Sequence, residues 1–240
     1  MSHSLSDAFE LIAIINLPDR TDRRREAEET LRQFGLTPGK GRVEFFPGQR
    51  VSTPEGFPSL GARGCFLSHL HLLRMARDRE LDSVLIFEDD FEITRSHREA
   101  LESLVPSIAA APWEFLYLGH RLDLPPAAQP SLAASDQPII TAHAYAVRAS
   151  VYAPLIEYLE GCLVRPPGDP VGGPMHFDGA LSMFRAAHPE RLTLVAQPSL
   201  VAQRSSRSDI TFRSYEQLPV LKQAMGLARR ARNLLRGKDS

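Results

Sequence analysis

Cysteine is scarce in this chain. Only Cys65 and Cys162 occur in 240 residues, far apart and each in apolar surroundings. Two such thiols cannot build the disulfide framework of a small secreted scaffold. They read as reduced and buried, rather than bridged or metal-bound. Neither sign of charge is in excess: 28 Lys plus Arg face 29 Asp plus Glu. That balance gives no basic footprint for nucleic acid, so no nucleic-acid partner is expected. No apolar run reaches the roughly 18 residues needed to span a bilayer. The opening MSHSLSDAFE lacks the charged-then-apolar layout of a signal peptide, and the expected location is cytoplasmic. What is present is 43% hydrophobic residues, enough for a substantial core in one large domain or in a domain with a small lobe.

Apolar runs and punctuation set out an alternating order of elements. Residues 11–17 (LIAIINL, broken by Asn16) and 84–87 are apolar runs of strand length, and 43–46 is a shorter one. Residues 114–118, 139–147 and 192–196 complete the expected strands. Helical spacing appears over 21–34, 64–79, 95–109, 151–159 (with Ser150 as N-cap) and 178–187. Residues 47–63, 122–138, 165–174 and 203–209 read as loops, that at 122–138 being a mobile surface loop. Strands alternating with helices predict an α/β sheet, mostly parallel at least in its first half.

The most informative segment is VLIFEDDFEI at 84–93. Its apolar residues suit a strand buried on both faces, which places Glu88, Asp89 and Asp90 at the C-terminal edge, where open α/β sheets hold ligands. Three adjacent carboxylates repel one another and are relieved by a cation; hard oxygen donors suit magnesium or manganese. The plain alternative is a solvated acidic turn.

Four further segments carry candidate chemistry, each with a plainer reading beside it. Asn16 follows the first strand and can bond a base or ribose, while Arg20 and Arg23 can pair with phosphate; equally, this is a helix start with its arginines in water. GARGCFLSH (61–69) places glycines before a helix whose first turns carry Ser68 and His69, a phosphate-favouring arrangement; equally, His69 is a packing residue on the apolar face. MHFDGAL (175–181) offers Asp178 as a general base and His176 as a further metal ligand; equally, Asp178 is an N-cap. QRSSRSD (203–209) offers Arg204 and Ser205 as an anion-binding loop; equally, it is a solvated loop.

Taken together, IINLPDRTDR, GCFLSHLHLLRMA, VLIFEDDFEI, HFDGALS and PSLVAQRSSRSDI resemble, in order, the motifs of glycosyltransferase family 25. This is the group of lipopolysaccharide-type β-galactosyltransferases and collagen galactosyltransferase relatives. The chain departs from it at Pro18, at Ala62-Arg63 and in the Pro/Ala insert after Leu118. The resemblance implies a GT-A-like fold with a Rossmann-type mixed sheet over 1–215, its donor side about 1–120 and its acceptor side about 121–215. It implies inverting transfer of galactose or glucose from a UDP-sugar to a glycan or lipid-linked acceptor. Glu88 and Asp90 would then hold Mn2+ or Mg2+, with His176 as an added ligand. Asn16, Arg20, Arg23, Ser68, His69, Glu88, Asp89, Arg204 and Ser205 would bind the donor, and Asp178 would be the base. Strand alternation turns Asp89 away from its two neighbours. A second reading is a magnesium-dependent phosphohydrolase built on the loose Asp90-x-Glu92-x-Thr94 pattern, and a third is a non-catalytic nucleotide-sugar binder. Residues 216–240 predict a basic amphipathic helix that either lies on an anionic membrane or packs on the domain.

Overall fold

The computed structural model describes residues 4–204. The expected helix over 216–240, Ser205 and the expected boundary at 215 lie outside the described residues. After a short 3-10 turn, the order is β1 (Leu11–Asn16), α1 (Thr21–Gln33), β2 (Val43–Pro47), α2 (Leu60–Asp78), β3 (Ser83–Glu88), β4 (Phe91–Glu92) and α3 (Arg95–Ala110). Then follow β5 (Phe115–Tyr117), β6 (Ser131–Ala134), β7 (Ala144–Arg148), α4 (Ala149–Val164), α5 (Phe177–Ala187), β8 (Thr193–Gln197) and β9 (Ala202–Gln203).

Seven strands form one mixed sheet in the order β2-β1-β3-β7-β5-β8-β6, and β4 pairs with β9 in a small ribbon. β1 is parallel to β2 and β3; β7 runs antiparallel to its neighbours β3 and β5. The expected α/β class and Rossmann-type mixed sheet are therefore observed, with the parallel pairing of the first half followed by reversals at β7 and β6.

Strand alternation sorts the core into two layers. Leu11 and Ala13 of β1, with Val84 and Ile86 of β3, pack under α2, α4 and α5. Ile12, Ile14, Leu85 and Phe87 pack on the other face under α1 and α3. Both faces of the central strands are covered, which is why their sequences are apolar without interruption. The register sets Ile15 beside Glu88 and Phe87 beside Ala144. It thereby gathers the C-terminal ends of β1 and β3 and the N-terminal end of β7 on one sheet edge.

Several boundaries differ from the sequence reading, for local reasons. α2 starts at Leu60, four residues early, because Ser59 caps it: its hydroxyl accepts the Ala62 N–H at 3.0 Å. Gly61 and Gly64 thus lie inside the helix, and Ser68 and His69 fall in its third turn, not its first two. A Cβ on Gly64 would stand 2.5 Å from the Gln49 carbonyl oxygen, so this glycine serves close packing of the β2–α2 segment. Ser150 does not cap α4; its hydroxyl donates to Glu114 at 2.9 Å, and the helix begins at Ala149. The supposed loop at 122–138 contains β6, and the strand predicted from 139 begins only at Ala144. Asp178 lies within the first turn of α5, with His176 at the cap position, so it is not an N-cap. Among the described residues no helix is long and apolar enough to cross a membrane.

Candidate active site

A cleft of about 630 Å³ opens at this sheet edge, lined by residues of β1, the β2–α2 segment, α2, β3, the approach to β7, and the start of α5. Its size suits a ligand larger than a single sugar. Of the residues singled out from sequence, Arg20, Arg23, Ser68, His69, Glu88, Asp89, Asp90, His176 and Asp178 line it.

Of the three carboxylates at the end of β3, Glu88 and Asp89 turn to opposite faces, as alternation predicts, and Asp90 shares Arg23 with Asp89. Asp89 turns to the α1 face. There it accepts from Asn16 Nδ2 at 2.7 Å and from Arg23 Nη1 at 2.8 Å. Asn16 also donates to the Arg20 carbonyl at 3.2 Å. Asn16, Asp89 and Arg23 thus clamp the end of β3 to the start of α1, and the Asn16 amide already has protein partners. Glu88 turns to the α2 face, where His69 Nε2 stands 3.4 Å and Cys65 Sγ 3.7 Å from its Oε1. Burial alone would discourage its charge. The bonds and field of His69, with His143 and Cys65, outweigh that and hold the carboxyl below the ordinary range.

Asp90 has the opposite balance. Gln203 Nε2 approaches its two oxygens at 3.4 and 3.2 Å, and Arg23 stands 3.8 Å away. Those contacts are long. Burial, and then the charge of Glu88, push Asp90 up to about 7. An ionised Glu88 that raises the proton affinity of Asp90, with both groups offering hard oxygen donors to one cleft, fits a divalent cation. His176 suits the same chemistry: burial lowers its proton affinity, leaving a neutral ring. Among the described residues, however, the metal-competent donors that converge within 4.8 Å of one another are those of Cys65, His69 and Glu88, not Glu88, Asp90 and His176.

Other expected residues hold structural partners. Ser68 donates to the Gly64 carbonyl at 2.6 Å and accepts from the Gln49 N–H at 2.8 Å, anchoring the β2–α2 segment. His69 is fully buried, stacked on Phe177 with ring centroids 4.1 Å apart, and bonded through Nδ1 to the Tyr145 hydroxyl at 3.0 Å. It is a packed residue, as the plainer reading has it, and it also holds Glu88. Arg204 pairs with Glu26 of α1 and is not among the cleft-lining residues; its backbone N–H donates to the Asp90 carbonyl at 2.8 Å. Asp178, 7% exposed, lines the cleft and accepts from the Gly179 N–H at 2.8 Å. Arg20 forms a two-pronged pair with Asp22 at 3.0 and 2.8 Å near the rim.

Three cleft residues escaped the sequence reading. Gln203 reaches Asp90 because β9 pairs with β4, a ribbon too short to show in a pattern. His143 donates through Nε2 to the Val201 carbonyl at 2.9 Å, and its buried Nδ1 has no partner among the described residues. Cys65 lies one turn before His69 on the same helix face, a visible i, i+4 spacing.

The profile described as "Glycosyltransferase family 25 (LPS biosynthesis protein)" matches residues 9–130. That span includes Asn16, His69 and the Glu88–Asp90 cluster but not His176, Asp178 or Gln203. Procollagen galactosyltransferase 2 of Homo sapiens is 30% identical over 131 residues, covering 47% of this chain and 21% of the relative. The glycosyltransferase 25 family member of Drosophila melanogaster is 26% identical over 218 residues, covering 83% of this chain and 35% of the relative. Inactive glycosyltransferase 25 family member 3 of Homo sapiens is 28% identical over 134 residues, covering 47% and 22%. The matches therefore span between a fifth and about a third of these relatives' lengths.

Proposed function

The chain belongs to glycosyltransferase family 25, and from that premise and the cleft's geometry we propose that it transfers a hexose, galactose or glucose, from a UDP-sugar to a hydroxyl of a glycan or lipid-linked acceptor, with inversion. The observation that carries this reading is the placement of Glu88 and Asp90 in one cleft with Asp178, which comes from a separate element. The name of the human relative supports galactose as the sugar, and the family's description supports an acceptor of the lipopolysaccharide type.

In this reading Glu88 and Asp90 hold Mn2+ or Mg2+, with His176 as a further ligand. Such a cation, when bound, neutralises charge on a leaving diphosphate. Arg23 fixes Asp89 and keeps a positive charge beside Asp90, and Arg20 offers a second guanidinium at the rim. Asp178 takes the proton of the acceptor hydroxyl as the new bond forms on the opposite face of the sugar. Its place in the first turn of α5 favours the ionised carboxylate a base requires. His69 and Phe177, stacked on each other with Tyr145 behind them, give this side of the cleft an aromatic wall. A nucleotide-sugar binder without turnover is the second reading, favoured by the relative named inactive. Manganese-dependent release of UDP from UDP-galactose or UDP-glucose tests the choice. Release that Asp90→Asn abolishes supports transfer chemistry, and donor binding without any release supports the binder.

A further inference from the structure

Cys65 and His69 stand one helical turn apart on α2 and point at the same carboxylate. Cys65 Sγ lies 3.7 Å and His69 Nε2 3.4 Å from Glu88 Oε1, and all three donor atoms fall within 4.8 Å of one another. Tetrahedral zinc with Zn–S about 2.3 Å and Zn–N and Zn–O about 2.0–2.1 Å requires ligand edges of about 3.6 Å between sulfur and oxygen and about 3.4 Å between nitrogen and oxygen. The sulfur–oxygen and nitrogen–oxygen separations match those edges, and sulfur and nitrogen lie within 4.8 Å of each other. The second partner of the imidazole is also in place. Tyr145 hydroxyl contacts Nδ1 at 3.0 Å and can accept as well as donate, so it can hold the tautomer that leaves a lone pair at Nε2. All three residues line the cleft, which gives an ion a way in.

We propose that Cys65, His69 and Glu88 form a binding site for a borderline-soft divalent cation, zinc by its ligand chemistry. The site is distinct in composition from the hard-oxygen pair Glu88 and Asp90, and the two sites share Glu88. Loading replaces the thiol proton by the metal: the S–H bond breaks, a Zn–S bond forms, and one proton leaves to solvent. A thiolate and a carboxylate together balance the charge of the ion. Resting on the transfer reading above, the zinc-loaded protein is an inhibited state, because Glu88 is withdrawn from the donor's cation.

Cobalt is the probe, since a thiolate ligand gives Co2+ a charge-transfer band that oxygen and nitrogen ligands do not. The full chain, freed of metal, is titrated with Co2+ and then with Zn2+, with no nucleotide sugar present. The expected result is a thiolate band that saturates at about one equivalent and is displaced by zinc. The band is retained in Cys162→Ser and lost in Cys65→Ser and Cys65→Ala. Tyr145→Phe, which loses the tautomer-fixing partner, should weaken cobalt binding about tenfold or more. Absence of a thiolate band in the parent chain overturns the site, and so does an undiminished band in the Cys65 variants. Because no sugar nucleotide is used, failure here is separate from failure of the transfer reading.

Discussion

Replacing Asp90 by asparagine should stabilise the metal-free protein at alkaline pH. Asp90 is only 6% exposed, and its nearest favourable partners are the Gln203 amide at 3.2 Å and Arg23 at 3.8 Å. Burial and the neighbouring Glu88 charge raise its carboxyl from the usual 3.8 to about 7. The folded state therefore holds a proton between about pH 4 and 7 that the unfolded chain has released. The contribution of this group to stability is complete below about pH 4 and is lost as pH rises through about 7. A shift of roughly three units corresponds to a ceiling of about 4 kcal/mol at about pH 8. An asparagine at this position keeps the shape and the acceptor for Gln203 but cannot ionise. Urea unfolding of parent and variant in chelator, at pH steps from about 4 to about 8, should give curves that meet near the acid end. They should then diverge in favour of Asp90→Asn by about 2–4 kcal/mol at about pH 8. A variant no more stable than the parent at the alkaline end, or a difference that ignores pH, refutes the argument that Asp90 is a strained carboxylate awaiting a cation.

Other consequences concern residues in separate roles. Asp178→Asn should lower the rate of transfer by about 10²–10⁴, the usual worth of a general base, while donor-induced thermal stabilisation remains; loss of both together would assign Asp178 to binding instead. Gly64→Ala should destabilise by about 1–3 kcal/mol in urea titration, because its methyl meets the Gln49 carbonyl at 2.5 Å, a backbone atom that cannot swing aside. An unchanged midpoint would show that α2 yields easily at this contact. Arg23→Ala removes the guanidinium that faces the buried carboxylates of Asp89 and Asp90 and should cost about 3–5 kcal/mol by the same assay.

The fold was legible where pattern and burial coincide. The uninterrupted apolar runs at 11–15 and 84–87 are strands covered on both faces, and the carboxylates that follow the second run stand at the cleft because strand direction puts them there. Alternation alone separates Asp89 from Glu88. What stays hidden depends on long-range contacts. Gln203 meets Asp90 only through a two-residue ribbon pairing of segments far apart in sequence. The true start of α2 is masked by Gly61 and Gly64, and the close contact of Gly64 with the Gln49 carbonyl is invisible in the local pattern. Arg204, legible as an anion binder, is held by Glu26 of α1, a partner that no local pattern reveals. Cys65 reads as an ordinary core thiol, and its neighbourhood with Glu88 emerges only when β3 is laid beside α2.

The central claim is that this cleft binds a nucleotide-sugar through a cation held by Glu88 and Asp90. Its most direct measurement is the melting temperature of the parent chain and of Asp90→Ala with Mn2+ and a panel of UDP-sugars. At about a hundredfold excess over Kd, the account predicts a rise of about 5–10 °C for one UDP-hexose with Mn2+, and none in Asp90→Ala. A flat response to every nucleotide sugar, or an equal rise in Asp90→Ala, would contradict it.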